Sequence, residues 1–416
     1  MINYTAILMA MLLYGSMSFA QTLDDYFKIA AENNPGLKAA YNEYEASLQK
    51  VPQVSTLPDP VFSFGYFVSS VETRVGPQQA KLSLTQMFPW FGTLKAQGNA
   101  AALMAEAKFQ SFIDARNKLH LQVASAYYPL YELKDWIRIE EENINILESY
   151  KTIADQKFRN GTGTMVDVLR VDIMLKDAQT NLDILRDKEK PLLTTFNKLL
   201  NRPANDMVQI SASLKPETIA DNYRRDSLIV SNPKLRALDL KLQAGKATEV
   251  AAGKQGLPKL GVGIDYVMVG ERTDISLPDN GKDVWMPMVS VSIPIFRRKY
   301  KASVKEAQLM QESYNNQKQE VANTLISEYE MVWFQVQQQL QLLSLYEQQI
   351  QTTQQSLNLL FTSYGNSGKE FEEVLRMQQQ LLKYLKMKST ALTKYQVAVA
   401  KINYLTSKTY SDEKDR

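Results

Sequence analysis

At 416 residues the chain is long enough for one large or two modest domains, and its sparse glycine (17) and proline (15) favour long uninterrupted elements over a loop-rich globule. Basic and acidic residues, 48 against 45 and interspersed, leave a net charge of +3 without the concentrated basic face that nucleic-acid binding needs. With no cysteine and one histidine, His120, disulfides, thiol nucleophiles, a cysteine-borne lipid anchor and His-rich catalytic or metal clusters are excluded.

The N-terminus reads as a secretory signal over residues 1–20. Ile7 to Tyr14 is an apolar core, and Ser18-Phe19-Ala20 fits the small-x-small cleavage pattern, leaving Gln21 first in the mature chain. Neither Lys nor Arg precedes that core, so only the terminal amine supplies positive charge. The run is too short for a transmembrane helix, which needs about 20 apolar residues, and no other stretch reaches that length. If the chain crosses a membrane, it does so as strands.

Residues 21–200 form a first structural repeat. An Asn34-Pro35 helix leads to a strand in which Phe62, Phe64, Tyr66 and Val68 oppose Val61, Ser63, Gly65 and Phe67. The return strand sets Leu82 and Leu84 against Lys81, Ser83 and Thr85. This is period-2 patterning with one apolar and one small-polar face, over roughly the ten residues that cross a bilayer when tilted. Phe88, Trp90 and Phe91 sit where an interfacial aromatic girdle would be. The same alternation also suits a hairpin packed on a soluble core.

From about Thr93 to Asn160 a single helix of about 100 Å is expected, kinked at Pro129. Such a helix must pack lengthwise against others. It reverses at Asn160-Gly161-Thr162-Gly163-Thr164, where Gly161 and Gly163 supply the freedom of a tight turn. The loop lacks a Walker Lys-Ser/Thr pair and follows a helix, so it is not a phosphate loop. The return helix carries Leu175, Ala178, Leu182 and Leu185 in coiled-coil spacing, and residues 201–226 form an equatorial connector.

Residues 227–408 repeat the order. Asn232-Pro233-Lys234-Leu235-Arg236-Ala237 echoes Asn34-Pro35-Gly36-Leu37-Lys38-Ala39, and Pro258 to Ile264 echoes Pro60 to Tyr66. Strands with Leu260, Val262, Ile264, Tyr266 and Met268 on one face, then Val289, Val291 and Ile293, are followed by Phe296 and a helix from about Lys299 to Tyr364. Its turn, with Gly368, precedes a helix in which Leu392, Tyr395, Val399 and Ile402 are spaced as a coiled coil. Finally, Tyr364-(x)8-Glu373-Val374-Leu375-Arg376 matches Phe158-(x)8-Asp167-Val168-Leu169-Arg170. Ordered matches at several places argue for duplication. Residues 409–416 are a polar tail.

Four strands cannot close a barrel and open edges are not tolerated in lipid, so a membrane reading requires oligomerisation. The run Glu140-Glu141-Glu142 reads as a solvated helical face. Met268, Met286 and Met288 fall near the second hairpin; thioethers suit soft ions such as Cu(I), although methionine there is more commonly apolar filler. No nucleophile–base pair, H-E-x-x-H motif or cofactor loop supports an enzyme, and neither a cofactor nor a metal is expected.

The residues resemble the TolC-type outer-membrane efflux family over about Thr22 to Ser407. The likeness rests on the duplicated Asn-Pro helix, the paired hairpins and the turn patterns Phe158-x-x-Gly161-(x)5-Asp167-Val168-Leu169 and Tyr364-x-x-Ser367-(x)5-Glu373-Val374-Leu375, where Ser367 departs from the family's glycine. Gln86 to Gly92 and Leu57-Pro58-Asp59-Pro60 look like the branch serving heavy-metal pumps of the RND type. The resemblance implies a mainly α fold with β: a long antiparallel coiled-coil barrel plus a 12-stranded transmembrane β-barrel from three chains of four strands each. It also implies a homotrimer in the outer membrane, in contact with lipid, with a periplasmic helical tunnel that meets an adaptor (membrane fusion) protein and an inner-membrane pump. Its function would be passive export of small molecules or metal ions; the alternative is a non-transporting periplasmic coiled-coil protein. Gly161, Gly163, Asp167, Gly368, Lys369, Glu373 and Arg376 would form the periplasmic tip, controlling opening and adaptor contact. Arg376 stands where a second acid of the family's ring can occur, and lies three residues from Glu373, close enough to pair with it. For Asp167 and Glu373 the plainer role is a helix N-terminal acid favoured by the dipole.

Overall fold

The computed structural model describes residues 22–210, 214–216, 232–367 and 371–407. The expected signal segment, most of the second half of the connector, Gly368, Lys369 and the tail lie outside the described residues. Elements run in the order α1 (Leu23–Asn33), α2 (Pro35–Leu48), α3 (Lys50–Ser55), β1 (Val61–Thr73), β2 (Gly76–Phe88), α4 (Thr93–Arg159), α5 (Met165–Leu199), α6 (Pro233–Gln255), β3 (Lys259–Val269), β4 (Val284–Ser292), α7 (Arg298–Ser367) and α8 (Phe371–Thr406). The order expected from the repeats is the order observed. Helix α4 continues through Pro129, and α5 through Pro191. No helix among the described residues is long and apolar enough to cross a membrane.

Two compact units emerge, Met1–Ala39 with Ile113–Asn232 and Asn323–Arg416, and Ala40–Phe112 with Pro233–Ala322. Each takes segments from both halves of the sequence, so the units do not coincide with the repeats.

In the first unit the duplicated Asn-Pro pair has the same structural task twice. A proline disfavours helical backbone in the residue before it, so α1 stops at Asn33 and Asn34 is extended (ψ 121). Pro35 then opens α2, where its missing N–H costs nothing. The Asn34 side chain accepts from Leu37 N at 3.1 Å and donates to the Leu199 carbonyl at 2.9 Å, at the end of α5. Asn232 donates to the Leu405 carbonyl at 3.3 Å, at the end of α8. Two residues beyond each accepting leucine the backbone turns left-handed, at Asn201 and Ser407 (φ 54 for both). Around the Asn34 joint Tyr26 and Phe196, both fully buried, meet edge-to-face at 5.0 Å with the Arg202 guanidinium over the Tyr26 ring.

A second core of this unit gathers the far ends of all four long helices. Leu147, Tyr150 and Ala154 of α4, Val168, Val171, Leu175 and Ala178 of α5, Leu357 and Tyr364 of α7, and Phe371, Val374, Leu375 and Leu381 of α8 form one buried cluster. At about 2 kcal/mol per fully buried large side chain, this burial holds helices whose own propensity could not.

Glu140 overturns the solvated reading of the triple acid. Glu141 and Glu142 are exposed, but Glu140 is 1% exposed and ion-paired with Lys386 of α8. Leu133, Glu140, Asn143 and Leu147 recur at heptad-like intervals on the buried stripe of α4, so the rotation of the helix fixes the carboxylate inside. Asn143 donates to it at 3.4 Å and itself accepts from Gln378 at 3.2 Å.

The second unit holds one four-stranded antiparallel sheet, ordered β1-β2-β3-β4. Both hairpins were legible in the sequence; the β2–β3 pairing that joins them, Phe88↔Leu260 through Gln78↔Val269, is the new fact. Strands β1 and β2 have 13 residues each, β3 11 and β4 9.

Candidate functional site

The pairing registers sort every strand side chain onto one of two faces. Residues directly opposite in antiparallel strands share a face. Phe64 pairs with Leu82, Leu82 with Tyr266, and Tyr266 with Trp285; Phe62, Leu84, Ile264 and Pro287 form the next row, and Phe88, Leu260 and Val291 another. Every aromatic residue that the ladders pair, with most of the large aliphatic ones, thus falls on one side. They are bare there: Phe62, Phe64, Tyr66 and Trp285 are each more than 60% exposed. The opposite face is mostly small and polar: Ser63, Ser83, Thr85, Gly261, Gly263, Ser290 and Ser292, with Lys81 ion-paired to Asp265 and with Val61, Val267 and Val284 interspersed. This arrangement inverts that of a water-soluble hairpin, which turns its large apolar side chains onto its own protein.

The methionines divide between the faces. Met268 shares the apolar face with Ala80 and Tyr66, whereas Met286, paired with Asp265, and Met288, paired with Gly263, lie on the polar one. The grouping of Met268 with the other two is therefore corrected by strand parity. Met87, paired with Gly261, joins the polar face instead.

The expected aromatic belt lies at the strand ends nearest α4 and α7. Phe88 and Trp90 are each 38% exposed, Phe91 77% and Phe296 83%. Trp90 and Phe91 pack edge-to-face at 6.0 Å, and Lys254 of α6 donates to the Phe91 carbonyl at 3.3 Å.

In the first unit the turn residues sit at the end of the four-helix cluster. Gly161 is left-handed (φ 72), and the Thr162 and Gly163 N–H groups both bond the Lys157 carbonyl, at 2.9 and 3.1 Å. A Cβ on Gly163 would lie 3.0 Å from Lys157 Cβ, so the chain reverses tightly against its own helix. Asp167 completes a capping box with Thr164: Thr164 N–H donates to its carboxylate at 3.3 Å, and its own N–H donates to Thr164 Oγ1 at 3.2 Å. The helix-start role is thus built, and Asp167 is held in place by it.

Glu373 is ion-paired with Arg376, as their spacing suggested. The neighbouring acids have partners too: Asp155 with Arg159 at 2.9 Å, Asp172 with Lys151 and Lys176, and Glu372 with Arg170 at 2.9 Å. Sequence reasoning missed the centre of this end. Tyr364 is 1% exposed, stacked on Phe371 at 4.5 Å, and covered by the Lys157 ammonium at 4.6 Å, which also donates to the Tyr364 carbonyl at 2.9 Å. Burial, with Asp167 nearby, pushes the Tyr364 phenol above its usual pKa. Its place in the turn pattern was visible; the contrast with its repeat partner Phe158, 43% exposed, was not. Among the described residues no group of His, Cys, Asp or Glu is arranged to hold a metal ion.

Comparison with known proteins bears on both places. The outer membrane efflux protein family model matches residues 27–199 and 225–406. The alkaline protease secretion protein AprF of Pseudomonas aeruginosa is 24% identical over 274 residues, 61% of this chain and 56% of AprF. The chain spans about half the length of the curated relatives it matches. Among solved structures, the outer-membrane channel OprN shares the fold at a TM-score of 0.76 and 15% identity, covering 93% of this chain and 90% of OprN. CusC, whose structures concern transmembrane channel formation, gives the same TM-score and identity over 92% and 91%. The duplicated Asn-Pro joints, the single apolar sheet face and a family match spanning both repeats converge: the chain belongs to the outer membrane efflux protein family, and its place is the outer membrane.

Proposed function

We propose that the protein is the passive exit duct of a tripartite efflux system, with three copies sharing one wall. The observation that carries this reading is the sheet. Its apolar face is exposed over four strands, and its edge strands β1 and β4 each have one unpaired side. In hydrocarbon every unpaired backbone group costs several kcal/mol, so the sheet needs partners along both edges. Three copies supply them by closing twelve strands into a barrel, apolar side to lipid and Ser-, Thr- and Gly-lined side to water. Phe88, Trp90, Phe91 and Phe296 would mark the interface with lipid headgroups.

The four-helix end would be the periplasmic mouth, meeting an adaptor protein and, through it, an inner-membrane pump. Gly161, Gly163, Asp167, Glu373 and Arg376, with Gly368 and Lys369 beside them in sequence, would control opening and adaptor contact. The pairing of Glu373 with Arg376 supports a mouth whose acids are largely neutralised, so its field on passing cations is modest. The chain contributes a path and no chemistry, and the pump supplies both energy and choice of cargo.

Planar-bilayer recording of the purified protein tests this. Discrete, long-lived conductance steps are expected, and Glu373→Gln with Asp167→Asn should alter step size or cation preference. A preparation that never conducts would remove the duct; unchanged conductance and selectivity in the double variant would remove the gating role alone.

A further inference from the structure

We propose that a lysine-lined cavity where the sheet of the second unit gives way to its helices binds a phosphate group, carried by the headgroup of an anionic phospholipid. The lipid source rests on reading Trp90 and Phe91 as the membrane-interface belt; the anion chemistry does not.

The cavity measures about 420 Å³ and is lined by the start of α4, the end of α6, the first residue of β3 and the first turns of α7. Lys254, Lys259 and Lys299 line it, and no Asp or Glu does. Among the described residues none of these three ammonium groups has a carboxylate partner. Lys254 is half-buried, and its ammonium donates to the Phe91 carbonyl at 3.3 Å. A Cβ on Gly92 would lie 2.5 Å from that nitrogen. Gly92 is the N-cap of α4, since its carbonyl accepts from Ala96 N–H at 3.1 Å, and it brings no side chain to the free N–H groups beyond it. The ammonium therefore stands at the positive end of a 67-residue helix.

The start of α7 repeats the conflict. Its first turn holds Arg298, Lys299 and Lys301 without an acid, and the first turn of α4 has no acid either. A helix start favours negative charge and is opposed by lysine, so an anion from outside the chain would complement both. A Cβ on Gly256 would lie 3.3 Å from the Tyr300 side chain, so α6 ends hard against the start of α7.

An independent observation points to a ligand. Thr93, the first residue of α4, lines the same cavity and is 2% exposed, yet its Oγ1 has no hydrogen-bond partner. A buried hydroxyl left unpaired is costly. A phosphate oxygen could accept from it, and from Lys254, Lys299 and the Gln97 and Gln255 amides of the lining. Trp90 lines the cavity too, and Lys259 begins β3 on the polar face, paired with Ser292. A lipid headgroup and a soluble phosphate can thus both supply the group; the indole, enriched at headgroup level, and the basic lining favour the lipid.

The test is native mass spectrometry of the delipidated protein in detergent, titrated with phosphatidylglycerol, with phosphatidylcholine of the same chains, and with inorganic phosphate. Wild type is expected to retain about one phosphatidylglycerol per chain, roughly tenfold or more tighter than phosphatidylcholine, and inorganic phosphate should displace it. Lys254→Gln with Lys299→Gln should erase the preference, whereas Lys301→Gln, which removes the same kind of charge at an exposed position outside the cavity, should leave it as in wild type. Lys299→Gln alone, also exposed, should lose several-fold in affinity, which keeps the test intact if the double variant fails to assemble. A preference undiminished in Lys299→Gln, or lost equally in Lys301→Gln, overturns the site. Inorganic phosphate bound with no discrimination between the two lipids overturns the lipid source. Wild type that holds phosphatidylglycerol as expected but never conducts in planar bilayers overturns the duct and leaves the site standing.

Discussion

Lys386→Ala leaves a carboxylate stranded. Glu140 is 1% exposed, and the Asn143 amide that also donates to it does so at 3.4 Å, too long to replace an ammonium. Removing one partner of a buried ion pair costs about 3–5 kcal/mol, because the survivor keeps its desolvation penalty without its attraction. The loss at Lys386 also withdraws a cation from above the Trp136 indole, whose ring centroid lies 6.0 Å from Nζ and whose N–H donates to the Lys386 carbonyl at 3.3 Å. Trp136 is therefore a built-in reporter. For a cooperative unit of some 250 residues, about 2 °C is lost per kcal/mol, so the fluorescence midpoint should fall by about 6–10 °C. Glu140→Gln with Lys386→Met replaces charge by neutral groups of similar size and should recover most of that loss. A double-mutant cycle reads the coupling directly. If Lys386→Ala lowers the midpoint by less than about 2 °C, the pair is not a buried constraint between α4 and α8, and the inward placement of Glu140 is wrong.

Further outcomes follow from single groups. His120 stacks on Phe27 at 4.8 Å, and burial, then the Arg116 charge, lowers its pKa to about 4. The unfolded chain therefore binds a proton that the native state refuses between about pH 6.5 and 4. Its contribution is fully present above pH 6.5 and lost as pH falls toward 4, so His120→Phe should flatten the stability profile across that window. Arg376→Ala unmasks Glu373, and reversal potentials in bilayers should move toward cation preference; no movement would mean that the carboxylate lies off the permeation path. Gly161→Ala forces a side chain into left-handed backbone (φ 72) and should cost about 1 kcal/mol, seen as faster proteolytic nicking at the turn between α4 and α5.

What the sequence disclosed and what it withheld divide along physical lines. Features set by local chemistry were readable. Strand alternation follows from the pleat, the Asn34-Pro35 and Asn232-Pro233 joints from proline sterics, and the Glu373–Arg376 pair from three-residue helical spacing. Features set by distant partners were not. Glu140 looks like its two solvated neighbours until a lysine 246 positions away is placed beside it. Tyr364 becomes an anchor only when α4 delivers Lys157 and α8 delivers Phe371. Met87 lies in the first repeat and Ser290 in the second, so only the β2–β3 register brings the thioether within 3.9 Å of that hydroxyl. The two compact units likewise cut across the repeats, because helices of this length leave their local neighbourhood behind.

The wall itself is tested most directly by the mass of the complex extracted from outer membranes, measured by light scattering with the detergent contribution subtracted. Three chains per particle, soluble only in detergent, is the expected result. A single chain that stays monomeric in plain buffer, with Phe62, Phe64, Tyr66 and Trp285 shielded from water by its own helices, would contradict a lipid-facing sheet shared among copies.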